Sequence, residues 1–245
     1  MVTKRGNDDD NRMFGTSQQD YLYGRSGDDA LYGYGGDDFL YGEEGNDRID
    51  AGGGHNQVRG GAGNDRIVSG NGNDKLWGGE GDDVLHAGNG NNWLSLAEGN
   101  DHAVAGKGND DISGGEGNDV IRAGAGNDKL YGGEGDDKLL GQAGNDRIIA
   151  HEGNDVLSGG SGNDTMTGGE GADVFVFNGG RDIVTDFENG DDRIDVSYYN
   201  SFDSYADIRN AAKQSGNNVV IQAGDDHLVI EDTRLGELSR DDFIW

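Results

Sequence analysis

From Gly15 to Val176 the chain repeats itself every nine residues, through 18 consecutive units and 162 residues, without insertion or deletion. The fourth position of the unit is glycine in 17 of the 18, with Gln18 the exception, and the sixth is Asp in 16, with Asn56 and Asn92 the departures. The eighth is apolar throughout: nine Leu, five Ile, then Val58, Ala103, Met166 and Phe175. A fixed period of this kind marks a solenoid, in which a unit buries its apolar side only by stacking on its neighbours. With 48 glycines and 32% hydrophobic residues, composition alone would also fit a disordered acidic tract. A disordered tract has no reason to hold three positions in phase over 162 residues.

Charge narrows the function classes. Asp and Glu number 48 against 19 Lys and Arg, a formal net charge of −29, which repels nucleic acid and anionic lipid and attracts cations. No apolar run approaches the ~18 residues of a membrane span. The opening "MVTKRGNDDDNRMF" has basic residues with no apolar segment behind them, so it does not read as a cleaved secretory signal. Zero cysteines exclude disulfides and thiolate metal sites.

Each unit reads as a glycine-rich turn of six residues followed by a strand of three. In such a strand the eighth side chain faces a narrow core while the seventh and ninth face outward. Arg48, Lys75, Lys129, Arg147, Tyr131 and Ser158 at those flanking positions suit a wet surface.

The pattern G-G-x-G-x-D-x-U-x, seen at 78–86, 114–122, 132–140 and 159–167, resembles the hemolysin-type calcium-binding repeat of RTX proteins. That resemblance implies an all-β fold, a right-handed parallel β-roll with two nonapeptides per 18-residue turn. This chain would then make nine turns, a rod roughly 40 Å long at the ~4.8 Å strand spacing.

Under that topology alternate units form two columns. One holds Asp29, Asp47, Asp65, Asp83, Asp101, Asp119, Asp137, Asp155 and Asp173; the other holds Asp20, Asp38, Asn56, Asp74, Asn92, Asp110, Asp128, Asp146 and Asp164. Like charges stacked about 5 Å apart in a partly buried turn are strongly unfavourable, and a cation between them removes the conflict. Carboxylates and turn carbonyls, with no recurring His or Cys, are hard oxygen donors. They suit Ca²⁺, which tolerates irregular carbonyl geometry, better than Mg²⁺ or a transition metal. Nine turns leave at most 16 gaps, and 16 Ca²⁺ would turn the formal −29 into +3.

In the RTX family an ion takes the second and fourth carbonyls and the Asp of one turn, with the first and third carbonyls and the Asp of the next. Carried over, the Gly79 and Gly81 carbonyls with Asp83 share an ion with the Leu96 and Glu98 carbonyls and Asp101. The same resemblance assigns carbonyl ligands to Gly61, Gly63, Gly70, Gly72, Gly88, Gly90, Gly106, Gly108, Gly115 and Gly117. It extends them to Gly124, Gly126, Gly133, Gly135, Gly144 and Gly153. Asn56 and Asn92 keep an oxygen but lose the charge, so four successive sites between Asp38 and Asp110 have one carboxylate instead of two, and that edge is expected to fill last. Folding is expected to depend on the metal, since a thin core orders a glycine-rich chain poorly.

Three regions are expected: an amino-terminal tail and degenerate capping repeat (1–14, with Met13 at position eight), the roll (15–176), and a cap of short strands and one helix (177–245). "RDIVTDF", "RIDVS", "NVVIQ" and "HLVIE" read as strands, the last two joined across "AGDD"; "SYADIRNAAKQSG" reads as a helix capped by Ser204. By resemblance the last region also carries an uncleaved signal for type I export, which implies a secreted, extracellular chain and the export machinery as a partner.

No H-E-x-x-H, G-x-S-x-G or P-loop is present, and the five histidines fall at unrelated positions, so the chain reads as non-catalytic. Tyr23, Tyr41, Arg59 and Trp77 share position nine on successive turns of one sheet and are expected to stack, protecting that sheet or meeting a partner. The leading function is a calcium-responsive secretion and folding module, free-standing or the non-catalytic carboxyl-terminal part of a secreted protease, lipase, toxin or epimerase. The alternative is an adhesive or surface-layer rod. Ice binding is disfavoured because neither face carries a regular threonine array.

Overall fold

A computed structural model describes all 245 residues. Its strands are longer than the repeat suggests. They run six residues, from position seven of one unit to position three of the next, as in Lys75–Glu80 and Val84–Asn89, and a three-residue turn at positions four to six joins them. Position one is therefore a second inward-facing position, not part of the turn. Positions eight and one alternate as buried residues, for example Leu76 and Gly78, while seven and nine face outward as expected.

Successive strands alternate between two parallel sheets. Each pairs with the strand 18 residues on, Lys75 with Trp93 in one sheet and Val84 with His102 in the other. The first sheet has 14 strands, starting at Thr3–Arg5, and the second has 12, from Arg12–Thr16 to Phe243–Ile244. The all-β parallel solenoid is as expected, but it makes about 11 turns instead of nine.

The extra turns come from both ends. Thr3–Arg5 and Arg12–Thr16 begin the two stacks, and Arg181–Val184 and Arg193–Asp195 continue them beyond Val176. Residues 177–185 keep the nine-residue frame, with Asp182 and Val184 at positions six and eight. One additional residue then shifts the next unit, so that Asp192 lies 19 residues from Asp173 in the column. That insertion hides the last turn from a strict nine-residue count.

The core is a double file of side chains. All 18 position-eight residues are fully buried, and so are the seven non-glycine residues at position one: Ala51, Ser69, Ala87, Leu96, Ala105, Ala123 and Ala150. Position one is small for a physical reason. A Cβ on Gly78 would lie 2.3 Å from the Asp83 Oδ2 and 2.7 Å from the Leu96 carbonyl oxygen. Leu96 is the one large residue at position one, and its unit also carries the one alanine at position eight, Ala103; both are fully buried in the same core.

The ends are closed differently. The first strand is short and puts Lys4 where later turns have leucine, opposite Leu22, which blunts an open sheet edge with charge. At the far end the core widens into Phe175, Phe177, Phe187, Phe202 and Phe243. Asn218–Ala223 and Asp226–Ile230 form the expected hairpin, whose second strand lies parallel on Arg181–Val184. The helix spans only Tyr205–Ala211, because Ala212–Ser215 is taken as a third antiparallel strand. Ser204 does sit at the N-cap, but its hydroxyl donates to the Asp207 carboxylate at 2.7 Å and not into the helix end.

Candidate metal centres

The position-six residue closes each turn. In turn after turn its backbone N–H donates to Oδ1 of the position-six residue 18 further on: Asp47 to Asp65, Asp83 to Asp101 and Asp119 to Asp137, at 2.7 to 2.8 Å. The second column does the same from Asp20 to Asp182, using Oδ1 of Asn56 and Asn92 where these occur. One carboxylate oxygen per residue is thus consumed in holding turns together.

The other oxygen has no partner. Oδ2 is buried and unpaired in 16 aspartates: the nine of the first column from Asp29 to Asp173, and Asp38, Asp74, Asp110, Asp128, Asp146, Asp164 and Asp182 of the second. Asp182 is a candidate the repeat count missed. These residues are at most 3% exposed, so no solvent shell balances their charge. Burial, opposed by the N–H bonds and reinforced by neighbouring carboxylates, pushes Asp83 and Asp119 up to about 8 and Asp47 and Asp137 to about 7. Such groups want a proton or a cation.

Carbonyl oxygens enter the same gaps. The Gly81 carbonyl points forward along the roll, 2.2 Å from where Gly99 would carry a Cβ. The Leu96 carbonyl points back, toward Gly78 and the Asp83 Oδ2. The Glu98 carbonyl also faces back but accepts the Gly81 N–H at 2.8 Å. Glycine at positions two and four is what permits this. Gly79 and Gly81 have φ of +135° and +110°, and a Cβ on either would meet a carbonyl of the preceding turn. No point gathers three or more His, Asp or Glu side chains, so any ion would draw most of its ligands from the backbone. Paired, unpartnered carboxylate oxygens beside turn carbonyls fit Ca²⁺.

Three kinds of turn depart from this arrangement. At Asp20 the Oδ2 accepts the N–H and hydroxyl of Thr16, and at Asp192 it accepts the Glu188 N–H at 2.8 Å. Asp20 alone in the columns is held below the usual range: burial raises it, but the Val2 and Thr16 donors outweigh that. At Asn56 and Asn92 the inward atom is a nitrogen, and it donates to the Gly54 and Gly90 carbonyls at 3.3 and 3.0 Å.

Position five forms a second ladder. It is Asn or Asp in 15 of 18 units. Here the N–H runs the other way: Asn100 donates to the Asp82 Oδ1 at 2.8 Å and Asn118 to the Asn100 Oδ1 at 3.0 Å. His55 takes a rung through Nδ1, accepting the Asn73 N–H at 2.8 Å. The recurring "GND" was the available signal.

The outer faces add charge and rings. Glu80, Glu98, Glu116, Glu134, Glu152 and Glu170 stand in register at position three, exposed, on the edge that carries the uninterrupted aspartate column. At position nine Tyr23 stacks on Tyr41 at 5.0 Å, and the Arg59 guanidinium lies over Trp77 at 4.5 Å, as expected. A parallel pair, Tyr21 and Phe39, stacks at 4.8 Å on position seven.

A family profile described as the RTX calcium-binding nonapeptide repeat (4 copies) matches residues 5–40, 26–58, 59–94, 97–130, 113–148 and 149–184. The chain belongs to this family of calcium-binding β-roll repeats. Among solved structures it is similar to the extracellular lipase LipA of Serratia marcescens, with 20% identity over 78% of this chain and 38% of that one, TM-score 0.38. It is also similar to the AlgE6R3 subunit of the Azotobacter vinelandii mannuronan C5-epimerase, at 26% identity over 54% and 80%, TM-score 0.39. A hyperactive, Ca²⁺-dependent, β-helical antifreeze protein from an Antarctic bacterium is similar at 20% identity over 91% and 94%, TM-score 0.33. The match thus spans about two fifths of the lipase's length. No curated protein matches the chain. No helix is long and apolar enough to cross a membrane.

Proposed function

We propose that this chain is a calcium-responsive folding module of a secreted protein, non-catalytic in itself, whose roll orders when Ca²⁺ enters the two aspartate columns outside the cell. The observation that carries the reading is the set of 16 buried, unpartnered Oδ2 atoms, which leave the metal-free roll with a charge conflict on both edges. Residues 29–182 hold the sites. The region from 177 on, which closes the core, is proposed to carry the export signal as well. A module of this kind stays loose where calcium is scarce and becomes rigid where it is abundant.

The direct test is far-UV circular dichroism of calcium-stripped protein at neutral pH, with Ca²⁺ and then Mg²⁺ added. Strand content that rises with Ca²⁺ alone supports the reading; strand content already full in chelator contradicts it. For export, appending residues 177–245 to a passenger protein in a host with a type I exporter should place the passenger in the medium. A second reading, a rod that presents its first sheet to a partner, is favoured by the Tyr23–Tyr41 and Tyr21–Phe39 stacks on the outer face.

A further inference from the structure

The two asparagine turns differ in kind from the aspartate turns, not merely in charge. At Asn56 and Asn92 the Oδ1 atom is committed, accepting the N–H of Asp38 and of Asp74 at 3.0 Å each. That bond fixes the amide orientation, because a flip would set an NH₂ group against an N–H. The inward atom must then be Nδ2. In Asn92 it donates to the Gly90 carbonyl at 3.0 Å and reaches the Gly88 carbonyl at 3.5 Å; in Asn56 it donates to the Gly54 carbonyl at 3.3 Å. These are carbonyls of positions two and four, which in the aspartate turns face the gap beside an unpartnered oxygen. An oxygen ligand of Ca²⁺ sits roughly 2.3–2.6 Å from the ion, so a cation there would collide with the amide hydrogens.

Position one of this edge carries a buried side chain in five successive turns, Ala51, Ser69, Ala87, Ala105 and Ala123, so the asparagine turns share that feature with the aspartate turns and differ from them in the amide alone. Between the two asparagines lies Asp74, whose Oδ2 is buried and unpartnered like those of the other aspartates.

We propose that the Asn56 and Asn92 amides are built-in substitutes for calcium: these two turns bind no ion, and they hold the middle of the second edge together when calcium is withdrawn. The inference rests on the calcium reading above but concerns only which turns take part. It makes the middle of the second edge a calcium-independent clasp, flanked on both sides by calcium-dependent turns of the same edge.

The test counts ions. Bound Ca²⁺ is measured at saturation by native mass spectrometry for the full chain and for Asn92→Asp and Asn56→Asp. Each substitution is expected to add at least one ion, because an unpartnered Oδ2 replaces the amide. An unchanged count with tighter binding would mean that the asparagine turns already bind calcium, and would overturn the proposal. Hydrogen exchange on the unaltered chain does not depend on the variants folding. As calcium is lowered, the Asp74 amide, bound to Asn92, is expected to stay protected to at least threefold lower calcium than the Asp83 amide, bound to Asp101. Simultaneous loss would also overturn it. A chain that binds no calcium at all would instead refute the function proposed above.

Discussion

The backbone N–H of Asp83 donates to Oδ1 of Asp101 at 2.7 Å, one turn and 18 residues further along the chain, while the Oδ2 of both residues is buried and unpaired. One carboxylate therefore does two jobs, and the two can be separated by substitution. Asp101→Asn should keep the rung, as Asn92 does for Asp74, and lose the charge. Asp101→Ala should lose both and strand the Asp83 N–H, at a cost of about 1–3 kcal/mol. Thermal unfolding in saturating calcium should rank wild type above Asn above Ala, and equal values for Asn and Ala would remove the rung.

Much of this was legible in the sequence, and what was not has identifiable causes. Asp83 and Leu85 announce themselves because a charge and an aliphatic recur in phase. Gly78 was read as a turn residue because glycine is the usual turn former, yet every non-glycine at its position, from Ala51 to Ala150, is buried, which is the mark of an inward face. The six-residue strand follows from that face. Asp82 recurs in phase beside Asp83, but nothing in the sequence says that its exposed side chain bonds the backbone of the next turn. Asp182 lay in frame and was passed over because the composition changes after Val176; Asp192 was hidden by a single inserted residue.

Acid should mimic calcium. Asp47 and Asp83 have folded values of about 7 and 8, above the 3.8 of an open chain, so between those limits the folded roll binds more protons than the unfolded one. The contribution of these carboxylates to the stability of metal-free protein is then fully present below about pH 4 and is lost as pH rises through about 7 to 8. Calcium-stripped protein should gain strand signal when taken from pH 8 to 5. In the same window protons compete with the ion, so the calcium midpoint should move to higher concentration on acidification. A midpoint independent of pH would contradict the raised carboxylates.

Position two carries side chains at positive φ, whereas position four carries one only at Gln18, where φ is not positive. Arg25, Tyr34, Glu43, Ala97, Gln142 and His151 all stand at position two with φ between 74° and 87°, whereas no non-glycine at position four has positive φ. Gly81→Ala should therefore destabilise more than Gly79→Ala, by about 1–2 kcal/mol, the cost of a left-handed residue without a relaxed alternative. This ordering is expected even though the unrelaxed Cβ contact is shorter at Gly79, 1.8 Å against 2.6 Å. Urea unfolding in calcium checks it.

Leu96 and Ala103 belong to one repeat unit, and both are fully buried in one continuous core. Leu96→Ala should cost about 2–5 kcal/mol through the cavity it leaves. Ala103→Leu should cost about 1–3 kcal/mol through overpacking. Together they should recover most of the loss, since the volume is moved and not removed. Additive losses would show that the two sites do not share space.

The central claim is that calcium binding to the aspartate columns and folding of the roll are one process. It is tested most directly by following far-UV circular dichroism and bound Ca²⁺ in a single titration of calcium-stripped protein at pH 7.5. The predicted result is that strand signal and bound ions rise together from a largely unfolded start, with Mg²⁺ ineffective. A roll already formed before the first ion binds, with a spectrum that calcium leaves unchanged, would contradict it.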